Sequence, residues 1–432
     1  MKPGDKVKIL TQDKEYEGTL MPSLQETGKD TYILKLKNGY NIGIEKKTVK
    51  KTTVLKEYIP AKNKKDKIEQ DNSLPTISIL HTGGTIASKI DYRTGAVYSS
   101  FSPEDLLKMF PELSKIANFR SNLISNMWSD DLRFKHFEVI AKAVQKEIKK
   151  GCQGIILGMG TDNLAVASAA MSFILEDIPI PLIFVGAQRS SDRGSSDAAM
   201  NLICAAEFIT KTDFSGVAIC MHEHSSDDTC AILPACKTYK MHSSRRDAFQ
   251  PVNDTAIAKI NFNTNKIEFL QKNYVKKDLK RKLNLKSNME NKVGLLKIHV
   301  HMDPKQFEFY KGYKGLVIEG TGLGHTPGQA PNEISNIHKK IYPALKKVID
   351  SGCVVIMTTQ TIFGRVHMHV YDKGTDLTSL GVIPGEDMLA NTAFVKLSWL
   401  LGNYSKEETK KLISQNLRGE INERLTEDMF LN

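Results

Sequence analysis

Hydroxyls, carboxylates and one lysine on glycine-bounded turns are the residues of this chain with chemistry to offer. The stretch Ile77-Ser78-Ile79-Leu80-His81-Thr82-Gly83-Gly84-Thr85-Ile86-Ala87 runs from a β-branched apolar segment straight into Thr-Gly-Gly-Thr. Such a run predicts a buried strand of a parallel sheet. Ligands of open α/β sheets sit beyond the carboxyl ends of the strands. Paired glycines let the backbone turn sharply and approach a ligand, and Thr85 would carry its hydroxyl into that crevice. A second turn, Leu157-Gly158-Met159-Gly160-Thr161-Asp162-Asn163, follows another apolar run and opens a helix. Thr161 and Asp162 are both good N-cap residues, so capping explains one of them and leaves the other over. A third polar segment, Lys237 to Phe249, contains Lys240, which spacing alone does not set apart from a surface lysine.

Together these groups make a coherent set. A threonine hydroxyl becomes a nucleophile when a base takes its proton as it attacks. A lysine serves as that base where burial or a nearby cation weakens its hold on the proton. A second threonine relays the proton and an aspartate orients the amine. Thr85, Thr161, Asp162 and Lys240 supply those roles, and backbone N–H groups around Gly84-Thr85 or Thr161 would hold an oxyanion. The reaction class is acyl transfer from an amide, with ammonia as leaving group.

The elements that must position these turns are legible as alternating patterns. From Thr76 onward, apolar strands at Gly154–Gly158, Pro181–Val185 and Gly216–Met221 alternate with helical patterns at 163–175 and 196–209. This is the signature of a parallel sheet with helices on both faces. A lysine-rich stretch, 276–292, interrupts it. The alternation then resumes at 293–298, 315–319 and 353–357, with helices predicted at 332–349, 387–401 and 405–416. The resulting division is 76–285 and 286–432. Residues 1–58 carry four short alternating segments with hairpin punctuation at Asn38-Gly39, which predicts a small β-barrel. The charged tract at 59–75 reads as a linker.

Composition narrows the class. At 432 residues the chain is too long for one small core. With 41% hydrophobic and 25% charged residues it is globular in type. No apolar run reaches the length of a membrane helix, and no apolar run follows the first residues, so a cytoplasmic location is expected. The six cysteines form no C-x-x-C pair and lie in apolar runs. They are expected to be buried reduced thiols rather than zinc ligands. The net charge of +11 and pI near 9.1 suit a protein that meets nucleic acid, and equally a lysine-rich solvated surface.

Thr82-Gly83-Gly84-Thr85-Ile86 and Gly158-Met159-Gly160-Thr161-Asp162, in this order and about 75 residues apart, resemble the two signature loops of the L-asparaginase family. The likeness extends over 76 to about 402. The tract Lys240-Met241-His242-Ser243-Ser244-Arg245-Arg246-Asp247-Ala248-Phe249, the segment Phe363-Gly364-Arg365-Val366-His367 and the barrel resemble that family's amidase subunits of archaeal tRNA-dependent amidotransferases. The resemblance implies an asparaginase-like fold: two α/β domains with parallel sheets, preceded by the small barrel. It implies that Thr85 is the nucleophile and that Thr161, Asp162 and Lys240 are the second catalytic group. Ser129 and Asp130 would bind the substrate's α-amino and carboxylate groups, the alternative being a helix N-cap ahead of Leu132. Tyr98, with Tyr92 as the poorer choice, would be the active-site tyrosine. Asn163 departs from secreted asparaginases, which carry threonine there.

The resemblance further implies a GatE-type, tRNA-binding kinase subunit as partner, in a heterotetramer built on a homodimer of the asparaginase-like domains. Glutamine or asparagine would be the amide donor, and tRNA would be met mainly through the partner. No cofactor is expected in this chain, with ATP and Mg²⁺ used by the partner. Gly320-Thr321-Gly322-Leu323-Gly324-His325 lacks the order of a nucleotide-binding loop and is expected to be a structural or subunit-contact loop. A stand-alone cytoplasmic asparaginase and a non-catalytic scaffold are the competing readings.

Overall fold

A computed structural model describes residues 1–22, 30–38, 40–59, 71–83, 107, 109–189 and 195–430, with the strands Ser88–Ile90 and Val97–Ser99 by backbone alone. Thr85, Tyr92, the side chain of Tyr98 and most of the linker lie outside the described residues.

The first unit is an antiparallel sheet of β1 (Lys6–Thr11), β2 (Glu15–Met21), β3 (Thr31–Leu36), β4 (Asn41–Glu45) and β5 (Val49–Lys56), in the order β4-β3-β2-β1-β5. Val7, Ile9, Leu20, Leu34 and Ile44 form its core, which the alternation of the first four strands predicts. The fifth strand carries no such alternation. Among the described residues it pairs with β1 alone, and it is exposed along nearly its whole length, so no buried face marked it in the sequence.

The second unit is an eight-stranded sheet. Its strands are β6 (Thr76–His81), β7 (Asn118–Leu123), β8 (Gly154–Gly158), β9 (Pro181–Val185), β10 (Gly216–His222), β11 (Thr229–Pro234), β14 (Ala258–Asn261) and β15 (Ile267–Phe269). A separate hairpin of β12 (Thr238–Lys240) and β13 (Phe249–Pro251) projects between β11 and β14 in the chain. The sheet order is β15-β14-β11-β10-β9-β8-β6-β7. The five strands from β7 to β10 are parallel, as expected. The other three are antiparallel, because the short connection from His222 to Thr229 cannot hold a crossover helix.

Successive residues of the central strands feed opposite cores. Leu80, Ile155, Leu157, Leu182 and Phe184 pack with helices α1 (Phe134–Lys149) and α2 (Leu164–Ile174). Ile77, Ile79, Ile156, Ile183 and Val185 pack with α3 (Ala198–Lys211). Register sets His81 and Val185 opposite Gly158 on its two sides. Three strands therefore end at one level, and the turns beyond them share one edge of the sheet.

The third unit is a parallel sheet of β16 (Val293–Lys297), β17 (Gly315–Gly320), β18 (Val354–Thr359) and β19 (Ile383–Pro384). The helix predicted over 332–349 is two segments, a 3₁₀ stretch at Glu333–Lys340 and α4 at Ile341–Asp350. Pro343 lies in the first turn of α4, where its missing N–H costs nothing. Helix α5 (Ala390–Asn403) lies between the two large units. Its Val395, Leu397, Trp399 and Leu400 join one cluster with Phe173 of α2 and with Val317, Val354 and Ile356 of the third sheet. Trp399 stacks obliquely on Phe173 at 5.6 Å and donates its indole N–H to Lys286 O at 2.9 Å. Trp399→Ala should cost about 3–5 kcal/mol, read as a lowered denaturant midpoint.

Candidate active site

The three turns at the sheet edge are tied together by main-chain bonds before any side chain acts. Thr82 N donates to Gly158 O at 3.1 Å, and Met127 N donates to Thr82 O at 3.0 Å. Gly83 adopts φ +102°, and a Cβ there would stand 2.7 Å from Met127 O. Only glycine fits that approach. The turn at Gly160 closes on the same segment, since a Cβ on Gly160 would lie 2.9 Å from Ser129 Oγ.

Helix α2 begins at Leu164, after Asn163, and no side chain caps it. Thr161 and Asp162 thus do not serve as caps, and their side chains face Lys240 instead. The lysine Nζ donates to Thr161 Oγ1 at 2.9 Å and to Asp162 Oδ1 at 2.6 Å. Lys240 is brought there by the β12–β13 hairpin, in which it pairs with Phe249. Phe249 is buried in the main core and pins the hairpin. The Lys240 side chain is 14% exposed and that of Asp162 64%, so the amine is mostly shielded while the carboxylate opens to solvent. A cavity of about 160 Å³ beside the pair is lined by Asp162, Tyr239, Lys240, Asn391 and Thr392 among others. Larger cavities of about 470 and 640 Å³ are lined by other residues.

Ser129 is buried and Asp130 exposed, in a single 3₁₀ turn, Ser129–Asp131. Helix α1 starts later, at Phe134, so Ser129 is not its cap. Asn163 fastens this turn to the second loop, its N–H donating to Ser129 Oγ at 3.3 Å and its Nδ2 to Ser129 O at 3.0 Å. Ser129 is thereby held beside the Thr161 turn.

Sequence reasoning missed a buried polar group at the next strand end. His222, at the end of β10, pairs through Nδ1 with Asn201 Oδ1 at 2.7 Å and through Nε2 with Asp227 Oδ1 at 3.2 Å. The Arg246 guanidinium donates to Asp227 and to Ser225 O, which ties the outer end of the Lys240 hairpin to β10. No local pattern marks these residues, because the contacts of His222 with Asn201 and of Arg246 with Asp227 and Ser225 join separate segments. Burial holds the His222 imidazole below its ordinary range, against the opposing pull of Asp227. The six cysteines are buried free thiols, and burial pushes Cys236 up to about 12. Gly320–His325 forms a closed turn, with Thr321 N donating to His325 O and His325 N donating to Thr321 O, each at 3.0 Å.

With this geometry established, similarity to known proteins becomes decisive. Residues 76–275 match the family described as Asparaginase, N-terminal, and 292–413 match the Glutaminase/Asparaginase C-terminal domain. Residues 1–55 match the GatD N-terminal domain. A glutamyl-tRNA(Gln) amidotransferase subunit of the GatD type, from Methanococcus maripaludis, is 43% identical over 431 residues, covering 97% of this chain and 98% of the relative. Its namesake from Pyrococcus furiosus is 43% identical over 437 residues, covering 99% and 97%. The chain belongs to the GatD family of glutamyl-tRNA(Gln) amidotransferase subunits. Among solved structures, the thermostable L-asparaginase from Thermococcus kodakarensis superposes with TM-score 0.70 at 26% identity. That match covers 81% of this chain and all of the other. The asparaginase fold accounts for the chain after the barrel, and the barrel separates this family from that enzyme. Among the described residues, no helix is long and apolar enough to cross a membrane.

Two outcomes follow from these contacts. Gly160→Ala should cost about 1–3 kcal/mol by forcing the Ser129 turn off the second loop, measured by urea unfolding. Unfolded His222 titrates near 6.5 and the folded group lower, so the unfolded chain binds more protons on acidification. The His222 contribution is then fully present above about pH 6.5 and is lost as pH falls through the lowered folded value. Unfolding free energies at pH 7 and pH 5 should fall less steeply in His222→Gln than in the unsubstituted protein.

Proposed function

We propose that this chain is the amidase subunit of a tRNA-dependent amidotransferase, releasing ammonia from glutamine or asparagine so that a partner subunit converts Glu-tRNA(Gln) to Gln-tRNA(Gln). The observation that supports the chemistry best is Lys240 Nζ within hydrogen-bond distance of both Thr161 Oγ1 and Asp162 Oδ1, from a hairpin 78 residues away in the chain.

In this reading Thr85 Oγ attacks the carboxamide carbon while its proton passes through Thr161 to the Lys240 amine, which Asp162 orients. Backbone N–H groups of the first and second turns stabilise the oxyanion. The C–N bond then breaks, and the nitrogen takes the proton back and leaves as ammonia. Water cleaves the resulting threonine ester by the reverse relay, releasing glutamate or aspartate. Ser129 and Asp130 hold the substrate's α-amino and carboxylate groups, and Tyr98 is the active-site tyrosine. No metal or cofactor is assigned to this chain; ATP and Mg²⁺ belong to the partner's phosphorylation step.

The partner is a GatE-type kinase subunit that binds tRNA, and the assembly is a cytoplasmic heterotetramer built on a homodimer of the asparaginase-like units. The net charge of +11 suits work beside a tRNA. A barrel matching the GatD N-terminal domain, together with GatD relatives alike along nearly the whole chain, favours this over a stand-alone asparaginase.

Ammonia release from glutamine by the chain alone, by the chain with its co-purifying partner, and by both with glutamyl-tRNA(Gln) tests the reading. The rate should rise at least about tenfold on adding partner and charged tRNA. Full activity from the isolated chain would favour the stand-alone enzyme. In the complete system, Thr85→Ala should abolish release while leaving the complex assembled on a sizing column.

A further inference from the structure

Lys240 reaches Thr161 from a hairpin whose base is clamped to the other large unit. Just before β12, Lys237 is fully buried and donates to Asp387 Oδ2 at 2.5 Å and to Asp387 O at 3.1 Å. Asp387 is equally buried, and its other carboxylate oxygen accepts from Asn422 N at 3.0 Å. Just after β13, Asn253 is held at φ +54° and donates through Nδ2 to Asp387 O at 3.1 Å and to Gly364 O at 2.8 Å. Gly364 N returns a bond to Asn253 Oδ1 at 2.8 Å. The two stems are joined to each other by Val252 N donating to Lys237 O at 2.7 Å. Thr392 Oγ1 of α5 adds a further tie to Cys236 O at 2.9 Å.

Both stems thus converge on one residue, Asp387, just ahead of α5. A buried ion pair contributes little net stability compared with well-packed apolar residues of similar size. What this pair does contribute is a fixed origin for the hairpin. Lys240 lies three residues beyond Lys237, about 10 Å along an extended strand. Its amine sits at the end of a flexible four-carbon stem that by itself would not hold one position.

We propose that the Lys237–Asp387 pair, bracketed by Asn253, is a positioning device that sets Lys240 against Thr161 from across the unit boundary. The inference rests on the amidase reading above, in which Lys240 is the base. It makes the seam between the asparaginase-like units part of the catalytic apparatus, although neither Lys237 nor Asp387 touches the reacting atoms. A displacement near 1 Å at a proton-relay group is enough to slow chemistry while substrate still binds.

The test uses the full chain in complex with its partner and charged tRNA, with ammonia release from glutamine as readout. Lys237→Met combined with Asp387→Asn removes both charges together, so no lone buried charge is left. The double variant should unfold cooperatively and show kcat lowered roughly 10- to 100-fold, with KM held within about threefold. Asn253→Gly tolerates the positive φ and removes only the bracket. It should lower kcat in the same sense, and it decides the matter should the double variant not fold. A folded variant of either kind with kcat within about twofold of the unsubstituted protein overturns the proposal. Lys240→Leu, measured alongside, separates the two levels. If Lys240→Leu stays active, the amidase reading itself fails and the proposal with it. If it is inactive while the folded seam variants are fully active, only the positioning claim fails.

Discussion

A lysine amine held between a threonine hydroxyl and an aspartate, on segments far apart in the chain, is the contact on which the rest of the structure depends. Lysine is a mobile side chain, and fixing its tip requires a rigid platform for the stem and a rigid surface to meet. The β12–β13 hairpin supplies the stem, with buried Phe249 directly across from Lys240. The turn after β8 supplies the surface, because its own helix takes no cap from Thr161 or Asp162. Both side chains are therefore available to the amine.

That meeting works because the central strands end level. Register aligns His81, Gly158 and Val185, and the two cores on opposite sheet faces hold that register against slippage. Where turns crowd, the chain uses glycine: Gly83 against Met127 and Gly160 against Ser129. Polar clamps then fix what packing cannot. Asn163 fastens the Ser129 turn, Arg246 and Asp227 tie the hairpin's outer end to His222, and Lys237 with Asn253 ties its base to Asp387. The seam between the two large units is accordingly both a hydrophobic core, through Trp399 and α5, and a polar anchor beneath the site.

Much of this was legible from sequence because it is local. Apolar runs such as Ile77–Leu80 and Gly154–Gly158 announce buried strands, and the helical spacing of Leu164, Ala167, Met171 and Ile174 is the buried face of α2. The fifth barrel strand was not legible, since β5 buries no face. Nor were the antiparallel strands after His222, whose direction is set by a short connection rather than by residue type. Within the site, residue types suggested the hydroxyls and carboxylate. The choice of Lys240 among 60 basic residues came from family resemblance. The clamps at His222, Asn163 and Lys237 left no local signal, because each joins segments that only the fold brings together.

In the proposed mechanism the Thr161–Asp162–Lys240 group surrounds the carboxamide carbon together with Thr85. Crystals of the chain soaked with glutamate or aspartate would show whether it does. The product's side-chain carboxylate should lie within about 3.5 Å of both Thr85 Oγ1 and Thr161 Oγ1, with Lys240 still bonded to Thr161. A product bound elsewhere, or a Lys240 amine turned away from Thr161 when product is present, would contradict it.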